Sequence, residues 1–589
     1  MNSSISLSNF ISATKVKNYL LNDPLLDWLN LYGKQNNLQK NNSDNKFSNF
    51  LKDKGIEFEE KVFNHIRKKY YSKTVNSDYS FKDNQNDIMG FYHQKYLETL
   101  ELMDHGVPII FHGVVFNLEE NLFGIPDIII RSDYINKILN YACIENIDEM
   151  NIGCKFSNRW HYLVIDIKFS NLVFSLDKKT LNNVGMFSYY KSQVMIYNKC
   201  LGEMQNYLPK NAYILGRKWR MGNKKGNNSF DYLGKVDIFG KDKDILAKME
   251  SAVKWIQELR QNGSTWDIYN PHRVELYPNM NNSNYDGEWR HIKNNIAKRN
   301  KDITSLWNCG VKERNNCFKR KIYDWQDEEC NAESLNIKGK RAKILDSILD
   351  INRTKEDIVY LPRTIRNSEN LAKISKNKIE FFVDFETVND LNDNFKKLPY
   401  TNFSTCIFMI GCIANFYCES GIYKSEFKCF IVEDFSKKEE KRVIDEWLNY
   451  MDLMSFKYST LNPKIYHWSN AEPNFYKSAV LRNKKVFDWR QLNFVDMLEI
   501  FKSEPICIKG VLGYGLKEVS KALYKNGIIK TTWDMDMDGR IAMLEAEEAM
   551  TESKSLGVLF SEMEIVKVIK KYNYIDCQVL FEILGFLRC

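Results

Sequence analysis

Long apolar runs, paired cysteines and a phosphate-gripping loop are all missing from this chain of 589 residues. No stretch approaches the roughly 20 consecutive apolar residues that a bilayer-spanning helix needs. The opening "MNSSISLSNF" lacks a basic region followed by an apolar block, the pattern of a secretory leader. The expectation is a soluble intracellular protein, cytoplasmic or nuclear, with no membrane partner. The 13 cysteines contain no Cys-x-x-Cys pair, which reads as reduced thiols in such a compartment. No Gly-x4-Gly-Lys-Ser/Thr loop occurs, which disfavours a helicase-linked ATPase subunit.

What remains is ordinary folding material. Hydrophobic residues make up 44% and aromatics 13% of the chain, enough to bury normal cores, and the length exceeds a single core, so two to four domains are expected. The net charge of +8 favours an acidic partner without identifying one.

The strongest chemical signal lies in "KIEFFVDFETVND". Asp384 and Glu386 sit two apart in an apolar run that reads as a buried strand, and a strand turns residues i and i+2 to one face. Desolvated carboxylates side by side cost several kcal/mol unless a cation or proton compensates them. A divalent metal does this naturally. Near the C-terminus, "VIKKYNYIDCQVLFEIL" reads as an amphipathic helix carrying Tyr572 and Asp576 at i, i+4, one helical face. Between them, "KIYHWSNAEPNFYKSAVL" offers Glu472 after a strand, and "FVDMLEIF" offers Asp496.

A second constellation lies in the first half. "LFGIPDIIIRSDY" places Asp127 at the head of an apolar strand, and "HYLVIDIKFSN" puts Asp166 and Lys168 on one face of another. Acids to hold a metal and a lysine to assist an attacking water or stabilise developing charge are the needs of phosphodiester hydrolysis. In "FSYYKSQVMIYNKCLG", Gln193 and Tyr197 follow at helical spacing. Upstream, "KGIEFEEKVFNHIRKKY" supplies Glu59. "ILGRKWRMGNKKGNNSFDYLG" looks like a hairpin with a basic tip, where Lys224 and Lys225 beside Trp219 suit single-stranded nucleic acid, although a solvated turn explains the same charges.

These motifs resemble two known modules. "DFE" with the closing "YxxxD" is similar to the first and last motifs of DnaQ-type 3′–5′ exonucleases of the DEDDy kind, with a ribonuclease-H-like fold. The D…DxK…QxxxY order resembles RecB-like nucleases of the PD-(D/E)XK superfamily. In order, the whole chain resembles a family of RecB-like nucleases that end in a ribonuclease-H-like domain. The resemblance implies an α/β protein: an N-terminal helical segment and polar loop over 1–50, a PD-(D/E)XK restriction-endonuclease-like domain over 51–290, a helical connector over 291–375 and a ribonuclease-H-like domain over 376–589.

It further implies a metal-dependent nuclease acting on nucleic acid, DNA before RNA, with Mg²⁺ or Mn²⁺ as cofactor. Glu59, Asp127 and Asp166 would bind metal in the first module, with Lys168, Gln193 and Tyr197 as catalytic residues. Asp384, Glu386, Glu472, Asp496 and Asp576 are the metal candidates of the second, with Tyr572 orienting the nucleophile. Relatives often carry a His before the first Glu, where Phe58 stands here, and an Asp where Glu472 stands. Those departures keep open an alternative, a nucleic-acid-binding or assembly protein with one or both sites inactive. Several RecB-type exonucleases hold an iron–sulfur cluster through a Cys in the opening helix, which here reads "NDPLLDW". Cys200, Cys309, Cys317 and Cys330 are too widely spaced to supply the rest. No cluster is expected, and the last three read as buried helix cysteines rather than zinc ligands.

Overall fold

The computed structural model describes residues 9–41, 46–76, 88–177, 179–401, 405–418, 421–483, 489–535 and 537–588. The chain is a mixed α/β protein that divides into two compact units, Met1–Ile296 with Asp393–Asn402, and Ala297–Asn392 with Phe403–Cys589. The N-terminal segment expected to stand apart over 1–50 belongs to the first unit, and most of the expected connector to the second. The polar loop also ends sooner than its composition suggests. A helix, α1 (Lys46–Tyr70), begins within it, with Phe47 stacked on Phe50 in its first turn.

The first unit is built on strands β1 (Thr74–Asn76), β2 (Ile109–Phe111), β3 (Ile128–Arg131), β4 (Tyr162–Phe174), β5 (Asn211–Met221), β6 (Lys224–Gly226) and β7 (Gly234–Asp237). Their order is β7-β5-β4-β3-β2-β1, with β6 paired to β5. β4 runs antiparallel to β3 and parallel to β5. Alternation along the strands divides the sheet residues between two cores. Leu163, Ile165, Ile128 and Ile130 join Phe58, Val62, Phe63 and Ile66 of α1, whose spacing makes a helical stripe. Val164 and Ile129 join the other core, with Val194, Ile196, Tyr197 and Leu201 of α2 (Phe187–Gln205). α2 is buried on nearly all sides, because the N-terminal helices Lys17–Leu20 and Leu25–Tyr32 contribute Leu20, Leu25, Trp28 and Leu29 to the same core.

The second unit carries β8 (Ile379–Val388), β9 (Cys406–Tyr417), β10 (Tyr423–Ile431), β11 (Lys464–His467) and β12 (Phe494–Asp496) in the order β10-β9-β8-β11-β12. The first three are antiparallel neighbours; β11 and β12 run parallel to β8. The connector is not a free spacer. Its strand Tyr360–Leu361 pairs with Cys507–Ile508, and its helix Lys340–Arg353 buries Ile344, Leu345, Ile348 and Leu349. Three further helices frame the centre of this unit: α3 (Ala471–Asn483), α4 (Leu516–Lys525) and α5 (Glu564–Leu587). α5 approaches β9 closely where Gly411 lies opposite Asp384 in the ladder. A Cβ on Gly411 would stand 1.7 Å from Asn573 Oδ1.

Candidate metal centres

In the second unit, β8 turns Asp384 and Glu386 to one face, and α5 lays Asp576 against them. One carboxylate oxygen from each lies within 4.8 Å of the others. Burial, then the charges of Asp576, Glu386 and Glu472, pushes the Asp384 carboxyl well above its ordinary range. Burial and Asp576 raise Glu386 to about 8. Burial also raises Asp576 to about 7, against the pull of the Lys517 ammonium and the Tyr572 hydroxyl. Like charges packed this tightly in a desolvated pocket call for a cation, and an all-oxygen donor set suits a hard divalent ion.

Neighbouring side chains hold the cluster in place. Asn573 Nδ2 donates to Asp384 Oδ2 at 2.7 Å and to the Asp384 carbonyl at 3.1 Å. Lys517 of α4 lies 4.8 Å from the Tyr572 ring centroid and donates to the Met537 carbonyl. A cavity of about 440 Å³ opens here, lined by Asp384, Trp468, Glu472, Lys517, Tyr572 and Asp576. Glu472 is buried, and its Oε2 has no hydrogen-bond partner among the described residues, although His467 Nδ1 lies 3.6 Å away. It faces the cavity with the acids. Asp496 has a different task. Its Oδ1 accepts from Leu498 N and from Ser469 N, both at 2.9 Å, capping the helix Met497–Ser503. Of the two central candidates, Glu472 is the one in the pocket, while Asp496 spends its carboxylate on backbone N–H groups.

In the first unit, Asp127 stands at the head of β3 and accepts from the backbone N–H of Ile167, which pins it beside Asp166 and Lys168. Lys168 Nζ lies 2.6 Å from Asp166 Oδ2. Burial works against the Lys168 charge, but Asp166 and Asp127 override it and raise its pKa. Burial, then Asp166 and Glu59, raises Asp127 well above its usual range. Glu59 reaches the site from α1, where its Oε1 lies 2.5 Å from His112 Nε2. Ligand atoms of Glu59, His112 and Asp127 fall within 4.8 Å of one another. His112 is the residue that motif reading misses. It sits just after β2 in the left-handed region, at φ 54°, with its N–H donating to the Asp127 carbonyl at 3.1 Å. The only sequence cue is a lone His before Gly113. Phe58 is core, packed on Phe395 and Phe169.

On α2, Gln193 Nε2 donates to Tyr197 Oη at 2.7 Å, and Asp166 and Asp127 are among the charges that raise the Tyr197 pKa after burial. The pair therefore stands beside the acids. The hairpin forms as expected from β5 and β6, with Lys224 and Lys225 exposed. Trp219 offers no open face at the tip. Its Nε1 donates to Asp231 at 3.0 Å, its ring meets Tyr232 edge to face, and a Cβ on Gly226 would stand 2.4 Å from it. Cys309, Cys317 and Cys330 are buried and form no disulfide. Cys317 alone is helical, in Val311–Lys319, because the other two lie in the connections that flank that helix.

No family model matches the chain, and neither curated proteins nor solved structures contain a significant match.

Proposed function

We propose that the protein is a metal-dependent nuclease with two hydrolytic sites, a PD-(D/E)XK-type site in the first unit and a ribonuclease-H-like 3′–5′ exonuclease site in the second. The observation that carries the reading is the convergence in the second unit of Asp384, Glu386 and Asp576, brought within reach of one ion from opposite ends of the unit's sequence, with Asp384 and Asp576 opening on one cavity. The sheet of that unit, three antiparallel strands followed by two parallel to the first, supports the same reading.

Bound Mg²⁺ or Mn²⁺ would neutralise the scissile phosphate and lower the pKa of a water at neutral pH. Asp384, Glu386 and Asp576 would hold it in the second unit, with Glu472 facing the same space. Tyr572, whose hydroxyl acts on the Asp576 carboxyl, would orient the attacking water, and Lys517 would offset phosphate charge. In the first unit, Glu59, His112 and Asp127 would hold the ion, with Asp166 beside them; an imidazole among the oxygens is a softer donor than Mg²⁺ prefers and tilts this site towards Mn²⁺. Lys168 would stabilise charge on the phosphorane, and Gln193 with Tyr197 would position the strand. Nucleic acid, DNA before RNA, is the substrate.

The test is digestion of 3′- and 5′-labelled single-stranded DNA, duplex DNA and RNA by the full chain. Cleavage should require Mg²⁺ or Mn²⁺ and stop in excess EDTA. Asp384→Ala should abolish 3′ trimming, Lys168→Ala the remaining cleavage, and the double variant both. Robust cleavage in EDTA, or ladders unchanged by either variant, would sink the proposal in favour of a binding or assembly role.

A further inference from the structure

The first unit contains a cavity of about 480 Å³ that none of Glu59, His112, Asp127 or Asp166 lines. Its volume lies in the range of small-molecule sites. Lys15, Lys17, Asn18, Asp27, Asn30 and Tyr285 are on its wall. The acids nearby are already committed. Glu288 pairs with Lys40 at 2.6 Å, and Asp286 with Lys293. Asp27 is buried and accepts from Asn18 Nδ2 at 2.7 Å and Trp255 Nε1 at 3.0 Å. The cations are not so balanced. Neither Lys15 nor Lys17 forms a direct ion pair with a carboxylate among the described residues; the Lys15 charge acts on Asp27 from a distance, and Lys17 has burial alone acting on it. Lys17 instead lies 5.6 Å from the centroid of the Tyr285 ring, an aromatic that is 39% exposed.

A partly buried ammonium without a counter-ion is a standing cost that an anion removes. Burial lowers the Lys17 pKa accordingly. A bare anion would use only the lysines. The wall also offers an exposed aromatic ring and two amides with unused capacity: Asn30 uses its Oδ1 on Trp289 and keeps its N–H₂, while Asn18 uses its N–H₂ on Asp27 and keeps its oxygen. Phosphate, ring face and hydrogen-bonding edge together describe a nucleotide.

We propose that this cavity binds a phosphorylated nucleotide, free or as the terminal unit of a strand, with Lys15 and Lys17 on the phosphate, Tyr285 against the base and Asn18 and Asn30 on its edge. The assignment does not rest on the nuclease reading, because the cavity shares no residue with either acid cluster.

Calorimetric titration of the full chain in EDTA tests it, with dAMP, deoxyadenosine, inorganic phosphate, and 5′-phosphorylated and 5′-hydroxyl tetranucleotides as probes. dAMP should bind at least 10-fold more tightly than deoxyadenosine or phosphate. Lys15→Gln, at an exposed position, and Lys17→Gln should each weaken dAMP at least 10-fold with an unchanged circular dichroism spectrum. A phosphorylated tetranucleotide matching dAMP would identify a strand end as the ligand, and one that fails to bind would identify the free nucleotide. Phosphate binding as tightly as dAMP, dAMP failing to bind at millimolar concentration, or Lys15→Gln leaving dAMP affinity unchanged would overturn the assignment. EDTA silences both metal centres, so failure here leaves the nuclease reading untouched.

Discussion

At the residue scale, the acids of the second unit work against folding. Asp384, Glu386 and Asp576 all have pKa values raised by burial and by one another. A carboxylate whose folded pKa exceeds its unfolded value contributes stability that is present below the unfolded value, near 4, and lost as pH rises through the folded one. The folded values of about 8 for Glu386 and about 7 for Asp576 set the window. Metal-free protein should therefore lose stability progressively between about pH 4 and pH 8. Asp384→Asn keeps the shape and deletes one charge. Its metal-free Tm should exceed that of the wild type by a few degrees at pH 8, at about 2–4 °C per kcal/mol, with the gap closing towards about pH 4. Its 3′ trimming should fall on the order of 10²-fold or more, the scale of losing one electrostatic stabiliser. In the second unit, wild type should gain stability on adding Mn²⁺, about 2.7 kcal/mol at a hundred times Kd, and the variant little, while any gain in the first unit should be the same in both. Differential scanning fluorimetry across pH, with and without Mn²⁺, reads all of this; a variant less stable than wild type at every pH would show that Asp384 is structural.

At the scale of elements, the second site depends on how closely α5 sits on β9. The Gly411 position admits no side chain because Asn573, which holds Asp384, occupies that space. Gly411→Ala must push Asn573 or the helix outward, and overpacking of this kind costs about 1–3 kcal/mol. The helix also carries Tyr572 and Asp576, so a small displacement separates acids that would share the proposed ion, and misplacement by about 1 Å is enough to cost about 10²-fold in rate. The expected outcome is a modest drop in Tm with a large loss of 3′ trimming, while cleavage dependent on Lys168 continues. Equal losses of stability and of both activities would mean that the close approach only supports folding.

At the scale of the molecule, a buried ion cluster in the first unit joins the N-terminal helices to the segment around residue 290. Lys293 Nζ lies 2.6 Å from Asp23 Oδ2 and also bonds Asp286, with all three side chains fully buried. Even so, burial raises Asp23 to about 6. Lys293→Met would leave two buried carboxylates facing each other without a cation, a change that costs about 3–5 kcal/mol. Calorimetry should show Tm falling on the order of 10 °C, with the transition of the second unit unmoved. No change in Tm would mean that the acids find protons or water at little cost. The sequence shows nothing of this cluster, because Asp23 and Lys293 read as unremarkable polar residues 270 positions apart.

Local rules were enough for the paired acids. Strand alternation put Asp384 beside Glu386 and Asp166 beside Lys168, and helical spacing put Gln193 beside Tyr197 and Tyr572 beside Asp576, because these relations depend only on backbone geometry within one element. The mixed α/β character came with the family resemblance of these motifs, and the structure has it. What the tertiary structure alone decided was which elements meet. It brought His112 to Glu59 and Asp127, set Asn573 behind Asp384, turned Glu472 into the cavity while Asp496 capped a helix, and closed Trp219 off against Gly226 and Tyr232. The first two and the placing of Glu472 depend on contacts between segments distant in sequence, and such contacts are selected by how side chains pack across the whole core; the Trp219 and Asp496 environments are local, but they turn on hairpin and cap geometry that no periodicity within a segment specifies.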